Sequence, residues 1–440
     1  MAQTDILACV GRNANLAERH TSLFFSSEDS TLTATRLVDG KPTSPWMATN
    51  TGAAYAQFNL NLPENNNGFF EDWPGAAPTG WNVRATGTAT VTKETGTPYT
   101  GLNSVKFTRS ANTEDCYIWK DFLCKSGLAH YLRFYQRGGD GSAAMVGRCV
   151  LQNLTTGKYW DGGVSATDTH WLPGISLASP YTFFTNGSAP YGQILPALPF
   201  VIEPYSATLR DYCTIRVAMG LFATGGGAVG SPAYLDAFEI FPAVSLASAH
   251  WHNLPAAAVA KVSSSPNAVT WTTRGTLTIA HPSMYASFAQ QLVPHWLFDF
   301  TPFTGLASAP AFPEKPWIGE LVLAQPETLT LHESYGYTTE RAMEQLRDER
   351  GIYAYAVTDK ATRKRSLVFE PRAGAELGDL EQTLYERSLA GALPLIVVPD
   401  SQGPDVYYGR IAPGIASTRD SFSLYKGGLT LTEFPPPIIG

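Results

Sequence analysis

Charge is scarce in this sequence: Asp, Glu, Lys and Arg supply only 16% of its 440 residues. With 44% apolar and 12% aromatic residues beside them, the composition excludes an intrinsically disordered chain, whose signature is the reverse. Lys and Arg are outnumbered, 31 against 38 acidic residues, and the net charge is −7. No basic cluster interleaves with aromatics, so nucleic acid and anionic membranes have no electrostatic footing and neither is expected as a partner. Long apolar runs are lacking as well. The strongest, ALPLIVVPD, stops at Pro399 and Asp400, far short of the ~18 residues of a membrane helix. The opening MAQTDILACVGRNANLAERH has no basic stretch leading into an apolar one, so no Sec-type signal is expected. The five cysteines, Cys9, Cys116, Cys124, Cys149 and Cys213, are odd in number and widely spaced, with no C-x-x-C pair. That suits neither a zinc site nor a disulfide framework and reads as reduced core thiols. Such usage fits a protein made in a cytoplasm that later works outside the cell.

Catalytic signatures are missing too. There is no G-x-S-x-G or H-E-x-x-H, and Gly225-Gly226-Gly227 lacks the Lys of a phosphate-cradling loop. The carboxylates Glu71, Asp72, Asp161, Asp236 and Glu239 are present without a recognisable glycosidase motif. The expectation is a protein that is not an enzyme.

What the sequence does have is punctuation: 39 Gly and 31 Pro. Between them run short alternating segments such as SVKFTRS, HYLRFYQR, CTIRVAMG and YLDAFEIF. Alternation broken by turn residues every 8–12 positions is the pattern of antiparallel β-sandwiches. Helical spacing is confined to the last quarter of the chain. Thr338 or Thr339 can cap a helix over 339–349, which Gly351 ends, and Leu380, Leu384 and Leu389 share one face of a second over 379–390. Strands YAYAVT, RSLVFE, LPLIVVPD, VYYGRI and GLTLTEF flank the second helix, which makes the last part α+β. A chain of this length holds several domains. Polar LPENNNGFFEDWPG at 62–75 and FPAVSLASAHWHNLPAAA at 241–258 mark the boundaries.

Three stretches resemble known families. The segment Thr33 to Gly40, followed by Trp46 and the strand Ala56 to Leu60, resembles the opening of a discoidin-type jelly roll. Matching elements resume at His252-Asn253-Leu254 and run through HWLFDF to Trp317–Leu323. The resemblance implies a jelly roll of residues 1–62 and 249–325 interrupted by an insertion, which an exposed loop tolerates. The insertion, 63–248, resembles family 4/9-type carbohydrate-binding modules: Gly68-Phe69-Phe70-Glu71 with Gly80-Trp81 at its start, TPYTGLNSVKFTRS after it, and Tyr234-Leu235-Asp236-Ala237-Phe238-Glu239-Ile240 at its close. The combination, with the α+β domain at 326–440, resembles minor tail proteins of tailed bacteriophages. The expected fold is therefore mainly β, two jelly-roll sandwiches, one inserted in the other, plus a C-terminal α+β domain. The implied function is a structural component of a phage tail, near the distal end of a virion, synthesised in the host cytoplasm. Its implied partners are other tail proteins, further copies of itself in a ring, and host-surface glycans. The rival expectation is a carbohydrate-binding protein or glycoside hydrolase that belongs to no virion.

Sugar rings stack on Trp and Tyr while nearby polar groups bind their hydroxyls. The insertion offers Trp119, Tyr135, Tyr159, Trp160, Asp161 and Trp171 as candidate glycan contacts, with Tyr181 and Tyr191 in reserve. Tyr159 and Trp160 are adjacent, so on a strand one of them faces the core. No cofactor is required by these residues. The resemblance implies one structural Ca²⁺ candidate, on Glu71 and Asp236, since that hard ion takes oxygen ligands. His250 and His252 share one strand face and could hold a metal, but no third ligand stands near them; a structural role is expected.

Overall fold

Period-two alternation becomes antiparallel strands in the computed structural model, which describes residues 4–9, 15–19, 22–26, 33–39, 45–48, 54–138, 145–161, 170–173, 181–185, 192–193, 198–203, 211–223, 229, 232–254, 258–279, 283–300, 317–331, 333–340, 343–347, 353–357, 362–373, 384, 387–388, 392–399, 405–411, 416–419 and 424–434. The chain divides into two compact units, one of Met1–Leu60 with Val244–Gly440 and one of Asn61–Ala243. Among the described residues there is no helix of seven or more. The mainly β, sandwich-type fold expected from the alternation is what forms.

The Asn61–Ala243 unit is two facing sheets. The front sheet has the order Trp171–Leu172, Tyr159–Trp160, Met145–Asn153, Tyr212–Leu221, Cys116–Lys125, Asn82–Ala85, with Tyr181–Thr185 also paired to Met145–Asn153. The back sheet runs Gly192–Gln193, Ala129–Gly138, Ala233–Pro242, Ser104–Thr108, Thr90–Glu94, with Leu198–Val201 paired to Ala129–Gly138. Their inner faces interdigitate in one core. Trp81 is its hub, edge-on to Phe238 at 5.2 Å and near Phe70 at 5.3 Å. Phe238 reaches the core through a bulge: the register shifts between Asp236 and Glu239, and Ala237 sits at φ 48°. A bulge inserts an extra residue and re-aims its neighbours. The first and last parts of the unit are tied together, Leu62 N–H donating to the Ile240 carbonyl at 2.8 Å.

The other unit contains a four-stranded sheet, ordered Ser283–Gln291, Val244–His252, Trp317–Ala324, Trp46–Met47, and a five-stranded one, ordered Ser22–Phe25, Ala54–Asn59, His295–Phe300, Ala260–Ser265, Thr272–Leu277. In its eight-stranded sheet Thr4–Cys9 pairs with both Glu327–Leu331 and Leu395–Val398, so the sheet of the 326–440 region includes a strand from the start of the chain. His250 is buried and bonded to the Ser248 hydroxyl at 2.9 Å, and His252 Nδ1 accepts the Leu254 amide. Both histidines serve local structure.

The helix expected over 339–349 does not form. Glu333–Glu340 pairs with Thr362–Ala373, and Met343–Arg347 pairs with Tyr353–Val357. β-Branched Thr338 and Thr339 and aromatic Tyr335 and Tyr337 favour the pleated form, and strand partners outweigh capping preferences of about 1 kcal/mol. Most of the second expected helix, 379–390, lies outside the described residues.

Candidate functional site

The outer face of the front sheet is built by register. On Cys116–Lys125 the residues Cys116, Ile118, Phe122 and Cys124 enter the core, which turns Tyr117, Trp119, Asp121 and Leu123 outward. On Tyr212–Leu221 the same alternation turns Thr214, Arg216 and Ala218 outward. Three cross-strand rows follow: Tyr117, Gly220, Arg148; Trp119, Ala218, Val150; and Asp121, Arg216, Gln152, Tyr159. The middle strand thus offers only Ala218 and Gly220 in the first two rows, between Tyr117 and Trp119 on one side and Arg148 and Val150 on the other. Tyr117, Val150, Ala218 and Phe222, none more than 6% exposed, close into a small apolar cluster on this face, and Trp119 and Tyr159 pack half-buried against it.

Gly220 is required there by its neighbours. A Cβ at this position would stand 2.4 Å from the Cys116 carbonyl oxygen and 2.6 Å from Tyr117 Cα, and its φ is +145°. Tyr117 is 6% exposed and stacks on Phe222 at 4.5 Å, a rigid base beside which Trp119 and Tyr159 remain partly exposed. Burial pushes the Tyr117 phenol pKa up, so it stays a neutral hydrogen-bonding group. Arg216 binds Asp121 through two nitrogens at 2.8 and 2.9 Å. That fork holds the guanidinium flat in the third row and raises its pKa further. The surface combines aromatic planes with a fixed cation, a carboxylate and the amide of Gln152.

Tyr159 is placed by the turn before it. Asn153 Oδ1 accepts the Thr155 and Thr156 amides, while Gly157, at φ +73°, donates to the Asn153 carbonyl. Glu203, 5% exposed, accepts from Asn153 Nδ2 at 2.8 Å, Thr156 Oγ1 at 3.0 Å and Lys158 Nζ at 2.5 Å. A buried carboxylate with three donors fixes the hairpin whose far strand starts at Tyr159.

The six candidate glycan contacts do not converge. Trp119 and Tyr159 share the front face. Trp160 and Trp171 are each 3% exposed and belong to the core, so the glycan-facing role expected of them is corrected. Alternation sends Trp160 inward once Tyr159 faces out, and Trp171, its direct cross-strand partner, follows. The Trp171 indole donates to the Val201 carbonyl at 2.7 Å. Tyr135 lies on the back sheet, its ring stacked on Tyr99 at 3.7 Å. Asp161 ends the hairpin and accepts from His170 Nδ1 at 2.9 Å. The side chains of Tyr181 and Tyr191 lie outside the described residues. Sequence reasoning missed Tyr117, Asp121 and Arg216. Their signal was the alternation of CYIWKDFLC against CTIRVAMG, which states that one face is aromatic and charged without stating which.

Glu71 and Asp236 do come together, on the turn at 99–103. Asp236 Oδ2 accepts the Tyr99 and Thr100 amides at 2.8 and 3.1 Å, and Oδ1 accepts Ala237 N–H at 2.7 Å. Glu71 accepts the Leu102 amide at 2.8 Å and packs on Gly101, where a Cβ would be 1.7 Å from its Oε1. Burial pushes the Asp236 pKa up to about 6, the negative Glu71 adds to the rise, and the three amides oppose it. Among the described residues no group of three or more His, Cys, Asp or Glu side chains could hold a metal. Both carboxylates are held by backbone amides, those of Tyr99, Thr100 and Ala237 on Asp236 and that of Leu102 on Glu71.

No family model matches the chain, and no curated protein matches it. Solved structures resemble parts of it. The CBM22-1 xylan-binding domain of Xyn10C from Paenibacillus barcinonensis is 13% identical, covering 39% of this chain and 90% of that domain at a TM-score of 0.25. A family 61 carbohydrate-binding module solved with β-1,4-galactotriose is 14% identical, over 40% and 96% of the two chains, at a TM-score of 0.25. The enzymatically active domain of tailspike protein 4 from Bacteriophage CBA120 is 14% identical, over 40% of this chain and 21% of that one, also at 0.25.

Proposed function

We propose that the Asn61–Ala243 unit binds glycan chains along the outer face of its front sheet. The observation that carries this reading is the outer face itself: Trp119 and Tyr159, half-buried against the cluster of Tyr117, Val150, Ala218 and Phe222, share it with the Arg216–Asp121 fork. An extended saccharide suits it because pyranose faces stack on aromatic planes, while the fork and Gln152 are placed for hydroxyls. The proposal extends to the whole chain as a non-catalytic structural component of a phage tail, present in several copies, whose sandwich touches host-surface glycans. That part is supported by the sequence resemblance. The proposal also gives Glu71 and Asp236 a structural calcium ion, which would offset the buried negative charge that Asp236 carries once it loses its proton above about pH 6.

Glycan-array and lipopolysaccharide binding with the intact chain tests the first part. Binding is expected, and Trp119→Ala should weaken it about tenfold or more; a folded chain that binds no glycan in a broad panel would overturn it. Co-purification with tailed particles tests the second, and a chain never found with particles or tail proteins would sink it.

A further inference from the structure

The front sheet also brings two of the five cysteines face to face. Cys124 and Cys213 are direct cross-strand partners on Cys116–Lys125 and Tyr212–Leu221. Both turn inward, are 0% and 1% exposed, and pack in the same core cluster. Two residues further along, the Ser126 amide donates to the Asp211 carbonyl at 2.9 Å. Pair types alternate along an antiparallel ladder, so 124 and 213 form a hydrogen-bonded pair, with Cα atoms about 5.5 Å apart. Disulfides bridge Cα separations of roughly 4.4–6.8 Å, but their Cβ atoms stand about 3.5–4.5 Å apart, closer than the roughly 5 Å or more of a hydrogen-bonded pair. Closing the bond therefore draws the two strands together and leaves it strained and readily reduced. No other cysteine has this relation: Cys116 faces Leu221, Cys149 faces Met219, and Cys9 belongs to the other unit.

We propose that Cys124 and Cys213 are an oxidisable dithiol that closes into a cross-strand disulfide. With a small disulfide oxidant such as glutathione disulfide, one cysteine thiolate attacks an oxidant sulfur and expels a glutathione thiolate. The second cysteine thiolate then attacks the protein sulfur of the mixed disulfide and expels the other glutathione. Two protein thiols give up two electrons and two protons, and the oxidant leaves as two thiols. Burial pushes the Cys213 thiol up to about 12, so exchange proceeds from opened or still-folding chain, where the thiolate is accessible. The bond would close a loop of about 90 residues, which restricts the unfolded chain strongly. It would also tie the strand carrying Trp119 to the strand carrying Ala218 and Arg216. The cross-link itself does not rest on the glycan-binding reading.

The test is oxidative refolding of the full chain in glutathione disulfide, an alkylating quench, and a non-reducing peptide map. One cross-linked peptide pair joining Cys124 to Cys213 is expected, with alkylatable thiols falling from five to three. The melting temperature should rise by roughly 5–10 °C and return to its starting value in dithiothreitol. Cys149→Ala should keep the bond and Cys213→Ala should lose it; if Cys213→Ala does not fold, the wild-type map decides alone. Five alkylatable thiols after oxidative refolding, or a bond to Cys116 or Cys149 instead, would overturn the proposal.

Discussion

Trp119 and Trp160 are both tryptophans of the front sheet, and they do opposite work because one residue of register separates inside from outside. Trp160→Ala should cost about 3–5 kcal/mol in denaturant unfolding, the loss typical of a buried aromatic. Trp119→Ala should cost about 1 kcal/mol or less in the same measurement while glycan binding falls. A Trp119 variant as unstable as the Trp160 one would place Trp119 in the core and remove the platform. Asp236 supplies a pH dependence of its own. Folded Asp236 keeps its proton up to about pH 6, whereas an unfolded aspartate releases it near pH 4. This group therefore favours the folded state at low pH, and the advantage is lost as pH rises from about 4 to 6. Thermal melts across that range should show the loss in wild type, a smaller one in Asp236→Asn, and recovery near pH 7 on adding Ca²⁺. A wild-type profile that Ca²⁺ leaves unmoved would argue against the ion.

Hairpins and turns carry the next set of effects. Glu203 holds the turn that aims Tyr159 through three donors. Glu203→Ala should destabilise the sandwich by about 1–3 kcal/mol and weaken glycan binding by loosening the turn that places Tyr159; unchanged affinity would mean that Tyr159 is not a contact. Glu114 clamps two other turns, accepting the Thr88, Ser110 and Ala111 amides, and these donors, Thr88 first, lower its pKa to about 2. Its contribution is full above about pH 4.5 and lost as pH falls toward 2, so Glu114→Gln should flatten the acid limb of the stability profile. Gly220→Ala should fail in a similar local way, because its Cβ meets backbone rather than a movable side chain. At this scale the alternation predicted LPLIVVPD, VYYGRI and RSLVFE as strands, and they form. Residues 339–349 carried a helix cap and a glycine stop, and cross-strand partners elsewhere in the chain overrode both.

Taken as a whole molecule, the chain contains a unit with its own core and with its two ends hydrogen-bonded together through Leu62 and Ile240. A fragment of residues 61–243 should therefore fold alone and keep the glycan affinity of the intact chain, as circular dichroism and binding would show; an unfolded fragment would mean that this core is incomplete. By itself the sequence determined the β class, through alternation and turn residues, because side chains on a strand point alternately to either face whatever the partner. It also placed Glu71 and Asp236 among candidate partners through a family resemblance. Only the tertiary structure decided which face of each strand is buried, since a mixed aromatic and charged alternation is compatible with both. That decision put Trp160 and Trp171 inside, set Trp119 and Tyr159 on one surface with Arg216, and laid Cys124 opposite Cys213. Each depends on register between strands far apart in the chain, and register is fixed by the packing of the whole core rather than by any one segment.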